Sequence, residues 1–359
     1  MKFKGFSKKQ LLDIFRKMVL SRCLDDKQLI LLKQGKGFFH IGCSGHEGAG
    51  MAAALSFRPG FDYAYPYYRD QAFCLGWGME SRDHLLSFLA KEDDPSSGGR
   101  QMPQHYGHLP LNIVSQSSVT GTQFLQATGA GFALLNNREH AVVYVSSGEG
   151  TTSQGDFHEA LNWASRDKSP VIFHIQNNHY AISVPIENQT AGASVYKISA
   201  GYDNLARFNV DGTNFFETHM AFNKAVDRAR RGKGPSVIES HVIRLLPHSS
   251  SDDQRKYRTK RDLDNDSKRD PILRFRKQCI EHKVIDEKEF DQINKEVKKY
   301  IDDEAEWADN CPHPEKATAF SFIYSQNNNN HSEEPVAQST LSDRIVMVDA
   351  INHALKEEL

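Results

Sequence analysis

No stretch of the 359 residues is apolar enough for long enough to span a bilayer, and no apolar signal core follows Lys2 and Lys4. The expectation is therefore a protein that neither crosses a membrane nor is exported, and works in the cytoplasm. A dominant charge is also missing: 44 Lys and Arg stand against 46 Asp and Glu, a formal net charge of −2. Such a balance draws the chain to neither nucleic acid nor an anionic membrane. Cysteine is sparse, with five residues at Cys23, Cys43, Cys74, Cys279 and Cys311. The count is odd and no Cys-x-x-Cys pair occurs, which argues for a reducing compartment. The 39% hydrophobic residues leave ample material for a large core, and the length alone suggests about two domains.

The most informative stretch is 141–185. It opens with the apolar run Ala141-Val142-Val143-Tyr144-Val145 and the polar word Ser146-Ser147-Gly148-Glu149-Gly150-Thr151-Thr152-Ser153. A polar helical segment over 156–167 follows, then the run 170–176 and the word Asn177-Asn178-His179-Tyr180. Two β-branched runs flanking one amphipathic segment make a βαβ unit, and near-continuous apolar runs belong to buried parallel strands. The polar words fall at the C-terminal ends of both strands, where open α/β sheets bind ligands. Glu149 and Asn178 stand 29 residues apart, the length of one crossover, so both side-chain oxygens can reach the same sheet edge. One carboxylate, one neutral oxygen and a backbone carbonyl suit magnesium, which keeps positions free for phosphate and water. Gly148 and Gly150 let the backbone approach a phosphate, and Thr151 adds a hydroxyl donor. Either word alone is no more than a strand-end turn; their pairing across one crossover points to a site.

Gly-Glu-Gly followed one crossover later by Asn-Asn resembles the thiamine diphosphate signature. The neighbouring words Gly155-Asp156-Phe157-His158-Glu159-Ala160-Leu161-Asn162 and Tyr180-Ala181-Ile182-Ser183 narrow the likeness. They resemble the alpha subunit of the decarboxylating component of 2-oxoacid dehydrogenase complexes, pyruvate or branched-chain type, over roughly residues 8–313. The resemblance implies an α/β thiamine diphosphate-binding fold: a parallel sheet flanked by helices, with helical extensions at both ends. It implies oxidative decarboxylation of a small 2-oxoacid and acyl transfer to a lipoyl-bearing acyltransferase component. Magnesium is then expected on Glu149, Asn178 and the carbonyl of Tyr180. Tyr68, Arg69, Ser118, Thr120, Gly148, Gly150, Thr151, Gln176 and Ile182 are the further residues expected around the cofactor.

Other words extend the likeness. Pro247-His248-Ser249-Ser250-Ser251-Asp252-Asp253 matches the family's His-Ser-x-Ser-Asp-Asp loop, which places His248 over the reactive end of the cofactor as the catalytic side chain. Pro247 stands where many relatives carry a second histidine. The word 99–107, Gly-Arg-Gln-Met-Pro-x-His-Tyr-Gly, resembles branched-chain and fused bacterial forms, with His105 in a structural or substrate-channel role. The segment holding His40 forms part of the family's active-site wall. Ser117, Thr122 and Gln123 match residues that hold a potassium ion in branched-chain relatives; read without the family, they are a helix N-cap before the small-residue helix 124–135. Thr120 replaces an apolar residue that helps bend the cofactor. Gln176 replaces an arginine aimed at the diphosphate, and offers a neutral bond for a charged, bidentate one.

Scaffold elements are legible from periodicity: a helix over 7–34 capped by Ser7, another over 215–231, a strand near 235–245, and a helical region from Asp270 with Phe290, Ile293, Val297 and Ile301 on one stripe. The domain expectation is a cofactor-binding domain over 1–313, a flexible linker over 314–341 rich in Asn, Ser and Glu, and a helical start of a beta-subunit-like domain over 342–359. The last segment resembles the partner's opening helix, which implies the alpha half of an alpha–beta fusion. The family's carboxylate against the cofactor's aminopyrimidine comes from the beta subunit and has no counterpart here, so a beta subunit or fused beta domain, assembled as in a heterotetramer, is needed for activity. Two alternatives stand beside this reading: an orphan or truncated subunit acting only in assembly, and another thiamine enzyme such as an acetoin dehydrogenase or a transketolase-like one.

Overall fold

The computed structural model describes residues 2–138, 140–321 and 346–358. Contacts divide the chain into two units, Met1–Glu315 and Lys316–Leu359. The first is built on a five-stranded sheet whose strands, in chain order, are β1 (Tyr63–Tyr65), β2 (Val143–Gly148), β3 (Val171–Asn177), β4 (Ala206–Val210) and β5 (Ser236–His241). Their spatial order is β1-β2-β3-β5-β4 and every pairing is parallel. Parallel strands need helices on both faces, and the alternation along β2 supplies apolar side chains to both. Val143 and Val145 pack on the side of Phe124, Phe157, Leu161 and Phe173. Tyr144 packs on the other side against Phe73, Trp77 and Phe222.

The helix Gly155–Asp167 is the crossover between β2 and β3, as the spacing predicts. Register then sets the functional edge: Val143 pairs with Val171 and Gly148 with Gln176, so Glu149 and Asn178 emerge from neighbouring tips. The expected helix 124–135 runs Thr122–Asn136, but its N-cap is Gly121 at φ 100 and no side chain caps it. The hydroxyl cap read from Ser117 and Thr122 is therefore absent, replaced by a left-handed glycine turn. Tyr63-Ala64-Tyr65 is the edge strand next to β2.

A second layer is helical apart from a short ribbon, Lys2–Phe3 paired with Phe6–Ser7. Helix Lys8–Lys33 starts with a capping box between Ser7 and Gln10. It buries Leu11, Phe15 and Met18 against Phe275, Phe290 and Val297, carried by helices Pro271–Glu281 and Glu287–Asp309. Arg22 ties the two layers: its Nε donates to Glu47 at 2.6 Å and its Nη1 to Asp270 at 2.9 Å.

The second unit contains a short turn of helix at Lys316–Phe320 and the helix Met347–Glu358, along which Val348, Ile351 and Leu355 are exposed. Most of the linker read over 314–341 lies outside the described residues. Among the described residues, no helix is long and apolar enough to cross a membrane.

Candidate functional site

The tips of β2 and β3 open into a cleft of about 260 Å³. It is lined by Tyr67, Tyr68, Arg69, Thr120, Gly148, Glu149, Gly150, Thr151, Asn178, Tyr180, Ala181, Ile182 and His248. Nearly all the residues expected around the cofactor thus line one cavity, although Gly148 and Asn178 come from different strands and Tyr68 and His248 from segments 180 residues apart in the chain.

Glu149 is 1% exposed, and its Oε2 accepts the Asn178 backbone N–H at 3.1 Å. Its Oε1 is buried with no hydrogen-bond partner. Burial pushes this carboxyl up to about 7, against which the N–H bonds and the positive Arg244 and Arg69 pull only partly. A buried, half-satisfied carboxylate beside an amide oxygen is the donor set a hard divalent cation takes. Among the described residues, no three His, Cys, Asp or Glu side chains converge, so a cation here draws its other ligands from amide and backbone oxygens. Gly150 is sterically required: a Cβ there would sit 2.7 Å from Ala181 Cβ. Ile182 adopts φ 57 in the two-residue loop of a small ribbon, Tyr180–Ala181 with Val184–Pro185. A β-branched residue there carries roughly 1–3 kcal/mol of strain, of the kind that collects at ligand sites.

Across the cleft, Arg69 is buried and both of its terminal nitrogens are hydrogen-bonded. One Nη donates to the Gly42 carbonyl, and Nη2 reaches the His248 carbonyl at 2.9 Å and His248 Nδ1 at 3.1 Å. An arginine only donates, so Nδ1 is the lone-pair nitrogen and the His248 proton sits on Nε2. Burial first, then Arg69 and Arg244, push the imidazole down to about 4, so it is neutral at pH 7. The loop around it is pinned: Asp252 accepts the His248 N–H at 2.8 Å and the Tyr257 hydroxyl at 2.5 Å.

Several expected residues lie elsewhere. Gln176 is fully buried behind the cleft; its amide donates to Asp70 and its Oε1 is 2.7 Å from His46 Nδ1. Its side chain follows the alternation of β3 into the sheet face, away from the edge. Ser118 lies in an adjoining chamber with Ile41, Met102, His105 and Gln116, where its hydroxyl is 2.6 Å from His105 Nε2. Of the three oxygens read as a potassium set, Gln123 spends its amide on the Gly121 N–H and the Ser146 carbonyl, and Ser117 Oγ accepts the Val119 N–H. His40 packs against Asp25 at 3.2 Å and does not line the cleft.

The sequence reading missed four side chains. Buried Arg244 donates to the Ile182 carbonyl at 3.0 Å and the Tyr257 hydroxyl at 2.6 Å. Its signal was an arginine inside the apolar run 242–246. Gln189 clamps the carbonyls of Glu149 and Gly150, at 3.2 and 2.8 Å. Tyr67 and Asp70 flank the Tyr68-Arg69 word, and nothing in their spacing distinguished them.

A parallel sheet with a carboxylate and an amide at adjoining tips, facing an arginine–histidine pair, defines an α/β protein with a polar ligand cleft at its sheet edge. The chain belongs to the dehydrogenase E1 component family, whose model matches residues 15–317, and with that family goes thiamine diphosphate. It is 36% identical over 322 residues to the 2-oxoisovalerate dehydrogenase subunit alpha of Bacillus subtilis, covering 90% of this chain and 97% of that protein. To the pyruvate dehydrogenase E1 component subunit alpha of Staphylococcus aureus it is 32% identical over 317 residues, 88% of this chain and 81% of that one. The Staphylococcus epidermidis counterpart is 31% identical over 328 residues, 90% and 85% of the two chains.

Proposed function

We propose that this chain is the alpha-type subunit of a 2-oxoacid dehydrogenase E1 component, holding the diphosphate end of thiamine diphosphate for the oxidative decarboxylation of pyruvate or a branched-chain 2-oxoacid. The observation that carries the reading is the orphaned, buried Glu149 Oε1 beside Asn178 at the mouth of the cleft. In this reading Glu149, Asn178 and the Tyr180 carbonyl hold a magnesium ion, and Gly148, Gly150, Thr151 and Tyr68 approach the phosphates. Thiamine diphosphate, when bound, supplies the nucleophilic carbon and the electron sink that decarboxylation needs.

The chain's own residues do the rest. Arg69 contributes positive charge to the cleft wall and fixes His248 through Nη2, with Nη1 held by the Gly42 carbonyl. His248 presents Nε2–H to the reacting end, where a neutral donor stabilises a developing oxyanion and can pass a proton during acyl transfer to a lipoyl group. The cleft of about 260 Å³ is below the ~300–1,000 Å³ of complete small-molecule sites, which supports a site finished by a beta partner. The five free cysteines accord with a reducing, cytoplasmic setting.

The test is co-expression with the beta partner and an assay of decarboxylation of pyruvate against 3-methyl-2-oxobutanoate, with calorimetry of coenzyme uptake. Magnesium-dependent binding and turnover of one acid are expected. Inactivity on both, with coenzyme and metal supplied, rejects the assignment.

A further inference from the structure

Behind the cleft floor lies a chain of buried polar groups that the proposed function leaves unused. Asp70 is 1% exposed and sits at its centre. One carboxylate oxygen accepts the Gln176 amide; the other accepts the hydroxyls of Ser146 and Tyr144, the latter at 3.0 Å. An ionised carboxylate can only accept, so every proton in the network has an assigned place.

On one arm, Tyr144 gives its proton to Asp70. The His174 Nδ1 at 2.9 Å must then carry the hydrogen that Tyr144 accepts, and His174 Nε2 accepts from Ser240 at 3.0 Å. On the other arm, Gln176 turns its NH₂ to Asp70, which leaves its oxygen 2.7 Å from His46 Nδ1. That nitrogen must be protonated. The Tyr67 hydroxyl lies 3.3 Å from the same nitrogen, which is the hydroxyl's only protein partner among the described residues. Because Nδ1 already holds a hydrogen, Tyr67 has no acceptor there. Its own proton is uncommitted. Tyr67 lines both the cleft and the adjoining chamber, with its ring beside Gly148.

We propose that the Asp70–Gln176–His46 relay locks His46 as the Nδ1–H tautomer and thereby keeps the Tyr67 hydroxyl proton available to an anionic ligand oxygen at the junction of the two chambers. Asp70, Gln176 and His46 are positioning residues; Tyr67 is the donor that meets the ligand. The oxygen belongs either to the coenzyme's diphosphate or to the carboxylate of the 2-oxoacid. The inference rests on the reading that the cleft takes that coenzyme. It also gives Gln176 a task, passing the orientation of a carboxylate to a tyrosine, that a ligand arginine at the same place could not perform.

Two measurements test it. In the full chain with 15N-labelled histidine, His46 should show Nδ1 protonated and Nε2 bare. Asp70→Asn reverses the polarity: Gln176 turns its oxygen to the new amide, its NH₂ to His46, and the hydrogen moves to Nε2. Gln176→Met, which introduces no buried charge, should release the tautomer should the first variant fold poorly. A wild-type His46 protonated on Nε2, or one unmoved in both folded variants, overturns the relay.

In the assembled enzyme, Tyr67→Phe should weaken one affinity roughly tenfold or more, the loss expected of one hydrogen bond to a charged group. A raised dissociation constant for thiamine diphosphate assigns the proton to the diphosphate. A raised KM with coenzyme binding intact assigns it to the substrate carboxylate. Tyr67→Phe normal in both overturns the inference and leaves the proposed function standing. A wild type that takes up no coenzyme overturns the proposed function, while the tautomer is still decided by the spectrum.

Discussion

Glu149 carries a conflict between folding and binding. Its carboxyl is pushed up to about 7 by burial, above the ordinary 4.5. An acid whose pKa rises on folding binds protons more tightly in the native state, so without a cation the chain loses stability as pH climbs from about 4.5 to 7. At about 1.4 kcal/mol per unit the loss is of order 3 kcal/mol above pH 7. Glu149→Gln should therefore make the cation-free protein more stable at pH 8, seen as a higher denaturation midpoint, and abolish magnesium-dependent coenzyme uptake in calorimetry. A less stable variant that still binds would contradict both halves. His248 behaves oppositely: its pKa is pushed down to about 4, so its protonation contributes no inflection to a rate profile between pH 6 and 8. His248→Ala should lower kcat about 10²–10⁴-fold, the range for a positioned proton-transfer group, with coenzyme affinity little changed. Loss of binding alone would make it a wall rather than a participant.

At the level of elements, periodic signals were readable and side-chain direction was not. The crossover Gly155–Asp167 and the capped helix Lys8–Lys33 follow from local pattern, because caps and apolar stripes are local physics. The pairing of Glu149 with Asn178 was also legible, since one crossover fixes which strand tips adjoin. Gln176, expected around the cofactor, stands one residue short of the strand end at Asn177, and the alternation turns its side chain inward. Ser117 and Thr122 failed as caps because Gly121 reaches a left-handed turn unaided. Arg244 and Gln189 escaped because they act on backbone carbonyls of distant segments as well as on hydroxyls, and no motif marks such partners. One element has no slack: the turn after β2 and the ribbon at Tyr180 touch through Gly150 and Ala181. Gly150→Ala would press a methyl to 2.7 Å of Ala181 Cβ, so the ribbon must shift. Coenzyme affinity should fall at least tenfold, as overpacking of about 1–3 kcal/mol displaces Tyr180 and Ile182. Undiminished affinity would show that the two turns move independently.

Across the first unit, Arg22 is one of the polar ties that hold the helical layer in place. It bridges Glu47, which is fully buried, and Asp270, the cap of helix Pro271–Glu281. Removing one partner of such a pair strands a buried charge at a cost of about 3–5 kcal/mol. Arg22→Met should lower stability by about that amount in urea denaturation, without changing coenzyme affinity per folded molecule. An unaffected midpoint would mean that water reaches Glu47.

Every atom assigned to the coenzyme stands at one rim of the parallel sheet; the other rim, with the turns at Asn137, Lys168 and Gly232, holds none. On the proposed reading, insertions or charge changes in those loops are expected to leave coenzyme affinity unchanged. The sheet of the first unit is polarised on that reading: one rim answers to the coenzyme, and the other does not.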